Sequence, residues 1–373
     1  MLKFSFLPRS VRRVTLPWLI FAVTSLPSFG QHFTRTDLTV NLSSVSPTAP
    51  NLDSNLKNSW GLTRSATSAW WVSDNHTGLA TLYDAAGLPQ SLVVAIPSPG
   101  DSDAIAAPTG AAFNYSSGFE IAPGKKAIFL FVTEDGTISG WNPGVKPTDA
   151  VIAFPPAGTT PGDAVYKGCT LVTTTEGTFL YVANFGEGRM DVFDSTFQRV
   201  RLGERAFRDL HIPRGFAPFN VQNVGGNVVV TFAKKQHGSD DEAHGPGQGF
   251  VAIFDPQGRL LLDLQSGSFL NAPWGITQAP SDFGVFSHRL LVGNQGDGTI
   301  NAFNLVTGKF EGKLLDANGA PLTIDGLWAL NFGSNGTSGS AIELFFTAGP
   351  NEEADGLFGK IVPVATEQRG SNE

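Results

Sequence analysis

Five times this 373-residue chain repeats an apolar stretch that ends in an aromatic residue followed at once by Asp or Asn. The copies are Tyr83-Asp84, Trp141-Asn142, Phe193-Asp194, Phe254-Asp255 and Phe303-Asn304, spaced 58, 52, 61 and 49 residues apart. A second marker keeps step, one copy ahead of each of these and one after the last: Trp60-Gly61-Leu62, Thr109-Gly110-Ala111, Gly168-Cys169-Thr170, Phe219-Asn220-Val221, Trp274-Gly275-Ile276 and Trp328-Ala329-Leu330. A unit of about fifty residues built from short strands cannot bury its apolar face alone, so neighbouring copies must stack. The fold this predicts is all-β, a β-propeller.

Each unit reads as four strands. In the first, 60–63 is the inner strand A, 69–73 is B, 80–84 is C and 91–96 is D. Asp84 stands where its side chain can cap the C–D turn, with Gly87 taking positive φ. The aromatic before each Asp or Asn is expected to pack between neighbouring units, burying about 150–250 Å² per ring. The sixth unit has A, B and C at 327–332, 343–347 and 357–364 but no D strand before the polar stretch 365–373. An alternating segment at 33–42 is expected to supply it, so that the N-terminal strand joins the last blade and removes the exposed edge at the seam. Six blades follow, or seven only if 33–57 holds more than one strand.

Residues 1–30 differ from the rest. Lys3, Arg9, Arg12 and Arg13 precede a mostly apolar run from Val14 to Leu26, and Ser28 and Gly30 supply small residues before Gln31. This is the pattern of a signal peptide cleaved near Gly30/Gln31. It predicts a single propeller domain over 31–364, a tail at 365–373, and an exported chain, periplasmic or extracellular, with no membrane span. Loss of four basic and no acidic residues moves the net charge from −8 to −12. An acidic chain of that kind repels nucleic acid and favours cations, neutral ligands such as carbohydrate, or a basic extracytoplasmic protein. Cys169 is the sole cysteine, so no intramolecular disulfide can form, and its apolar setting reads as a small buried hydrophobe.

In a propeller the B–C and D–A loops share one face. The B–C connections hold Asp74, Asn75 and His76; Glu134 and Asp135; Asn184 and Glu187; 234–244; Asn294 and Asp297; and Asn351, Glu352, Glu353 and Asp355. Carboxylates outnumber basic groups there, which predicts a negative ligand-binding rim. The candidates are Asp74, Asn75, His76, Asp135, Lys234, His237, Asp240, Asp241, His244, Asp297 and Asn351. The fourth connection, 234–249, is much longer than an ordinary hairpin and carries His237, Asp240, Asp241, Glu242 and His244. Its spacing matches neither an EF-hand nor an HExxH helix, so it reads as a solvated loop or lid.

The inner-strand phrases followed by "WWVSDN…ATLYDAAG" resemble NHL repeats, a six-bladed class. "NSWGLTRSATSAWWVSDNHTGLATLYD", "YVANFGEGRMDVFD", "LLVGNQGDGTINAF" and "LFFTAGPNEEADGLFG" together resemble an uncharacterised family of exported bacterial propellers, over about residues 33–364. Some members of that family end in a PEP-CTERM tail; the Pro-Glu-Pro motif, apolar helix and basic end are missing here. The resemblance implies fold and export, and brings no activity with it.

The leading expectation is an exported propeller that binds a ligand or partner on its acidic face. The alternative borrows from calcium-dependent lactonase-type propellers, in which one ion sits on the axis. Glu134, Asn184 and Asn294 have suitable donor types on three different blades, and a Ca²⁺ or other divalent ion there would serve a lactonase- or esterase-like hydrolase or a lyase. No GxSxG elbow, phosphate loop or dinucleotide motif is present.

Overall fold

The computed structural model describes residues 31–100, 104–155 and 162–364. The expected signal peptide and C-terminal tail lie outside the described residues. Six sheets, antiparallel except for one short parallel pair in the sixth, stack around one ring, and the sole helical turn among the described residues is a 3-10 turn at Gly284–Phe286. The fold expected from the repeats is the fold observed.

Blade 1 runs Ser59–Thr63, Trp70–Asp74, Leu79–Tyr83 and Val94–Ala95. Blade 2 is Pro108–Phe113, Phe129–Thr133, Ile138–Trp141 and Val151–Phe154, with a small hairpin (Glu120–Ala122, Lys125–Lys126) in its A–B connection. Blade 3 holds Tyr166–Thr174, Gly177–Asn184 and Arg189–Phe193; its D position is reduced to one bridge between Phe193 and Arg199, where four strands were expected. Blades 4 and 5 are complete, at Phe216–Val224, Asn227–Lys234, Gly249–Phe254, Leu260–Asp263 and at Pro273–Gln278, Leu290–Asn294, Ile300–Phe303, Phe310–Lys313.

Blade 6 takes Leu327–Phe332, Leu344–Ala348 and Leu357–Pro363 from the end of the chain and Phe33–Val40 from its start; a two-residue strand, Asn51–Leu52, pairs parallel to Phe33–Val40 at the outer edge, so 33–57 holds a second strand without adding a seventh blade. Phe33 lies opposite Pro363 and Val40 opposite Leu357, so the ring closes by backbone pairing between segments over three hundred residues apart. Phe33 also stacks on Phe283 and Phe286 of blade 5, at 5.1 and 6.1 Å between centroids, which ties the closing strand to a second blade.

Both sequence markers have a physical basis here. The five aromatics of the first marker are all buried, and three contact the preceding blade directly: Tyr83 packs on Phe358, Trp141 on Trp71 and Phe193 on Phe154. Each such burial contributes about 1.5–3 kcal/mol. The Asp or Asn that follows folds the C–D turn in every case. Asp84 Oδ1 accepts from the Ala86 and Leu88 amides, Asn142 from Gly144, Asp194 from Thr196 and Gln198, Asp255 from Gln257 and Arg259, and Asn304 from Val306 and Thr307.

The second marker sits where inner strands crowd the axis. A Cβ on Gly61 would stand 2.4 Å from the Thr109 carbonyl, and one on Gly110 would stand 2.7 Å from the Cys169 amide. Glycine is required because adjacent backbones leave no room for a side chain. These contacts also correct the alignment of blade 3. The residue matching Trp60 is Lys167, and the phrase there is Lys167-Gly168-Cys169.

Candidate functional site

With that alignment, the matched position on the inner strands holds Trp60, Thr109, Lys167, Phe219, Trp274 and Trp328 in blades 1 to 6. Trp60 and Trp328 stack at 3.5 Å, and Trp274 meets both edge-on at 6.0 and 5.8 Å. Phe219 reaches Trp60 at 6.4 Å although blades 1 and 4 stand opposite each other. Rings from opposite blades in contact mean that the channel is closed by an aromatic layer.

Lys167 is the one charge in this layer. Its side chain is 1% exposed and its Nζ pairs with Glu134 Oε1, 4.8 Å above the Trp60 ring and 5.7 Å from Phe185. Burial works against its charge, but Glu134 and Glu242 outweigh it and raise the pKa. Glu134 in turn accepts from Asn75 Nδ2 at 2.9 Å. One half of the mouth is therefore an ion pair standing on aromatic rings.

The other half is a carboxylate cluster. Glu353 Oε2 accepts from Asn58 Nδ2 at 2.7 Å, and its Oε1 accepts from Gln295 Nε2 at 3.3 Å. Asn58 Oδ1 is held by the Trp328 indole N–H at 3.0 Å, so the polar cluster is fastened to the aromatic layer below it. The His76 Nε2 lies 3.3 Å from Asn58 Nδ2, and His244 Nε2 lies 3.5 Å from Glu242 Oε1. Burial and the neighbouring charge of Glu242 push Glu353 up to about 7, whereas burial lowers His76. The bond to Glu242 raises His244.

The backbone that presents Glu353 is unusual. Asn351, Glu352 and Glu353 all have positive φ, at 57°, 54° and 67°. Three consecutive left-handed residues, two of them Glu, cost about 1–2 kcal/mol each. Asn58 is also left-handed at φ 45°, but Ala272 and Gly326 share that conformation at the matching entries to blades 5 and 6. The Asn58 geometry is thus part of the repeat, and the strained turn at 351–353 is peculiar to the mouth.

Above these groups opens a cleft of about 770 Å³, lined by residues of blades 1, 4, 5 and 6. Its walls carry the carboxylates of Asp241, Glu242, Asp325, Glu352 and Glu353 and the imidazoles of His76 and His244, with no Lys or Arg among the lining residues. Gln295 is 6% exposed; its buried Oε1 has no donor at hydrogen-bond distance, and the His244 imidazole is the group that approaches it.

The residues singled out from sequence divide between turns and mouth. His76, Asp241 and His244 line the cleft and Asn75 holds Glu134. Asp74 is fully buried, accepts from Ser59 and Thr81, and has its pKa raised by that burial; it braces blade 1. Asp135 accepts from the Ala107 amide at the entry to blade 2, while Asp297 accepts from Asn294 and Thr299 and Asn351 donates to Asp355, each of the latter two within its own loop. Lys234, His237 and Asp240 are exposed on the long blade-4 connection.

The proposed axial metal set is not assembled as donors. Asn184 Oδ1 already accepts from the Glu187 amide and its Nδ2 donates to Glu187 and Asp191. Asn294 Oδ1 accepts from the Asn271 amide, and its Nδ2 donates to Phe269 and Asp297. The Asn184 amide is spent on its own turn, the Asn294 amide ties its turn to the connection from blade 4 at Phe269 and Asn271, and Glu134 faces the Lys167 ammonium. These three residues do not fit a divalent ion on the axis.

Three groups that do converge, Asp209, His211 and Asp263, lie on the outer edge of blade 4, remote in the chain from every B–C loop. Lys167, Asn58 and Gln295 were not recognisable as site residues from the sequence. Lys167 had a signal: it interrupts a position held by Trp or Phe in four other blades. Cys169 is buried, its thiol pushed up to about 12 by that burial, in keeping with a packing role.

Fold and mouth together define a six-bladed β-propeller with a sealed channel and one acidic, partly buried cup. The chain belongs to a family that includes uncharacterized proteins L690 and R648 of Acanthamoeba polyphaga mimivirus. It is 33% identical to the first over 324 residues (84% of this chain, 82% of the relative) and 32% identical to the second over 320 residues (84% and 76%). No family model matches. Among solved structures, a protein of unknown function from Bacteroides thetaiotaomicron matches 90% of this chain and 77% of its own, with a TM-score of 0.55 at 10% identity. Virginiamycin B lyase from Staphylococcus aureus matches 89% of this chain and all of its own, with a TM-score of 0.48 at 11% identity. At such identities the likeness concerns the fold alone.

Proposed function

We propose that this chain is a ligand-binding propeller whose site is the acidic cup over the sealed channel on the B–C face. The observation that carries the reading is Glu353. A strained left-handed turn holds it against Asn58 and Gln295, and its carboxyl titrates at about 7 beside a cleft large enough for a small molecule. Strain retained at a concave, titratable site is the usual mark of a functional position. The aromatic floor excludes passage through the channel, so a ligand enters and leaves by the same mouth.

The test is a thermal-shift and calorimetric screen with amines, sugars, carboxylates and lactones against the wild-type chain and Glu353→Gln. Saturable one-to-one binding that the substitution weakens at least tenfold supports the reading. Binding that Glu353→Gln leaves unchanged, or none from any class, rejects it.

Export of the chain is part of the same proposal. It rests on the basic start and apolar run of residues 1–30, and an intact mass beginning at Gln31 in an exported fraction is the expected result.

A further inference from the structure

We propose that the cup takes an organic cation with several N–H donors, an oligoamine, and that binding expels a proton from Glu353. This rests on the reading of the mouth as a ligand site and names its ligand class.

The cleft walls set five carboxylates and two imidazoles against no lysine or arginine, so the field favours a positive guest. The chain already satisfies the deep half of the mouth this way, with the Lys167 ammonium lying between Glu134 and the Trp60 ring. The shallow half has the acceptors and no cation. Gln295 supplies an independent sign. Its buried Oε1 has no donor at hydrogen-bond distance, the more distant His244 imidazole being the group that approaches it, while its Nε2 is bonded to Glu353. An ammonium donates three N–H bonds and meets Gln295 and Glu353 together.

The distribution of charge separates an oligoamine from a metal ion. Among the described residues, no three His, Cys, Asp or Glu of the mouth bring ligand atoms within 4.8 Å of one another. Carboxylates spread over a cleft of about 770 Å³ suit spaced charges on a flexible chain.

Glu353 is faced by Glu242 and His244 from blade 4, Lys167 from blade 3, Glu134 from blade 2 and, through Asn58, His76 from blade 1. A bound cation stabilises the Glu353 carboxylate and lowers its pKa, so affinity rises as pH increases through about 7. His244, whose pKa is raised, loses its competing charge with rising pH, in the same direction.

The experiment is titration calorimetry of the full chain with 1,4-diaminobutane and spermidine at pH 6, 7 and 8, in two buffers of different ionisation enthalpy. Glucose and Ca²⁺ serve as comparison probes. The expected result is one-to-one amine binding, about tenfold tighter at pH 8 than at pH 6, with net proton release at pH 7. Glu353→Gln removes the proton release and most of the pH dependence, leaving the smaller part that His244 contributes. Glu352→Gln, an exposed change that leaves the fold alone, weakens spermidine two- to fivefold. Glucose binding lost in Glu353→Gln, without amine binding, overturns the cation and leaves the ligand site standing. Stoichiometric Ca²⁺ without amine binding overturns it as well. Amine binding with no pH dependence overturns the proton exchange, and silence from every probe overturns the site itself.

Discussion

The ammonium of Lys167 lies 4.8 Å from the centre of the Trp60 ring, although the two residues hold the same position on inner strands separated by a whole blade. Both therefore point into the same channel, and the contact is made across it. The lysine is almost wholly removed from water, and its ammonium pairs with one carboxylate, that of Glu134.

That pairing predicts an asymmetric double-mutant cycle. Glu134→Gln strands a buried ammonium and is expected to cost about 3–5 kcal/mol in urea unfolding. Lys167→Met is expected to cost less, because Glu134 is 24% exposed and keeps its bond from Asn75. The double variant should resemble Lys167→Met. Equal single-mutant costs would contradict the account.

Glu353 predicts a particular slope of stability against pH. Its carboxyl titrates at about 7 in the folded chain, above the ordinary 4.5. The native state then holds the proton more tightly than the unfolded state. Stability is full below about pH 4.5, falls as pH rises towards 7, and levels off above that. The loss amounts to roughly 2–3 kcal/mol, allowing for partial solvent screening. Subtracting the Glu353→Gln profile from the wild-type profile should isolate that fall; parallel profiles would refute it.

The strained turn predicts a stabilising substitution. Glu352 is exposed with φ 54°, so Glu352→Gly relieves the left-handed penalty while adding backbone entropy to the unfolded chain. The net expectation is a gain of about 0.5–1 kcal/mol, seen as a raised melting temperature. A lowered one would show that the Glu352 side chain itself holds the turn.

Ring closure predicts sensitivity at Gly359. A Cβ there would stand 2.4 Å from the Phe346 ring and 2.8 Å from the Thr36 carbonyl, between the closing strand and its neighbours. Gly359→Ala should loosen Phe33–Val40, read as faster amide exchange confined at first to that strand. Uniform exchange across all six blades would count against a closing role.

How much of this could be read beforehand depended on range. Tyr83-Asp84 and its four counterparts announce a capped turn because the amides that the Asp or Asn accepts from lie two to four residues on, and a buried ring because each repeat must pack on the one before it. Repeated near every fifty residues, they establish blades, their number and the need for a strand to complete the last one. Gly61 and Gly110 mark the inner strands for a related reason, since close backbone approach excludes any side chain. Fold class, blade count and the acidity of one face thus follow from composition and local pattern.

The site is assembled by contacts between blades. Asn58 and Glu353 are 295 residues apart and meet at 2.7 Å; Lys167 meets Glu134 over a gap of 33. Nothing local distinguishes Glu353 from Glu352 in the chain, yet one turns into the cup and the other lies exposed. Asn184 and Asn294 looked like metal donors by type, but backbone amides had already claimed their oxygens, Glu187 in the same turn for the first and Asn271 in the preceding connection for the second. Local sequence settles what hydrogen bonds and burial decide within a strand or turn, whereas a side chain's charge state depends on which distant blades ring closure brings beside it.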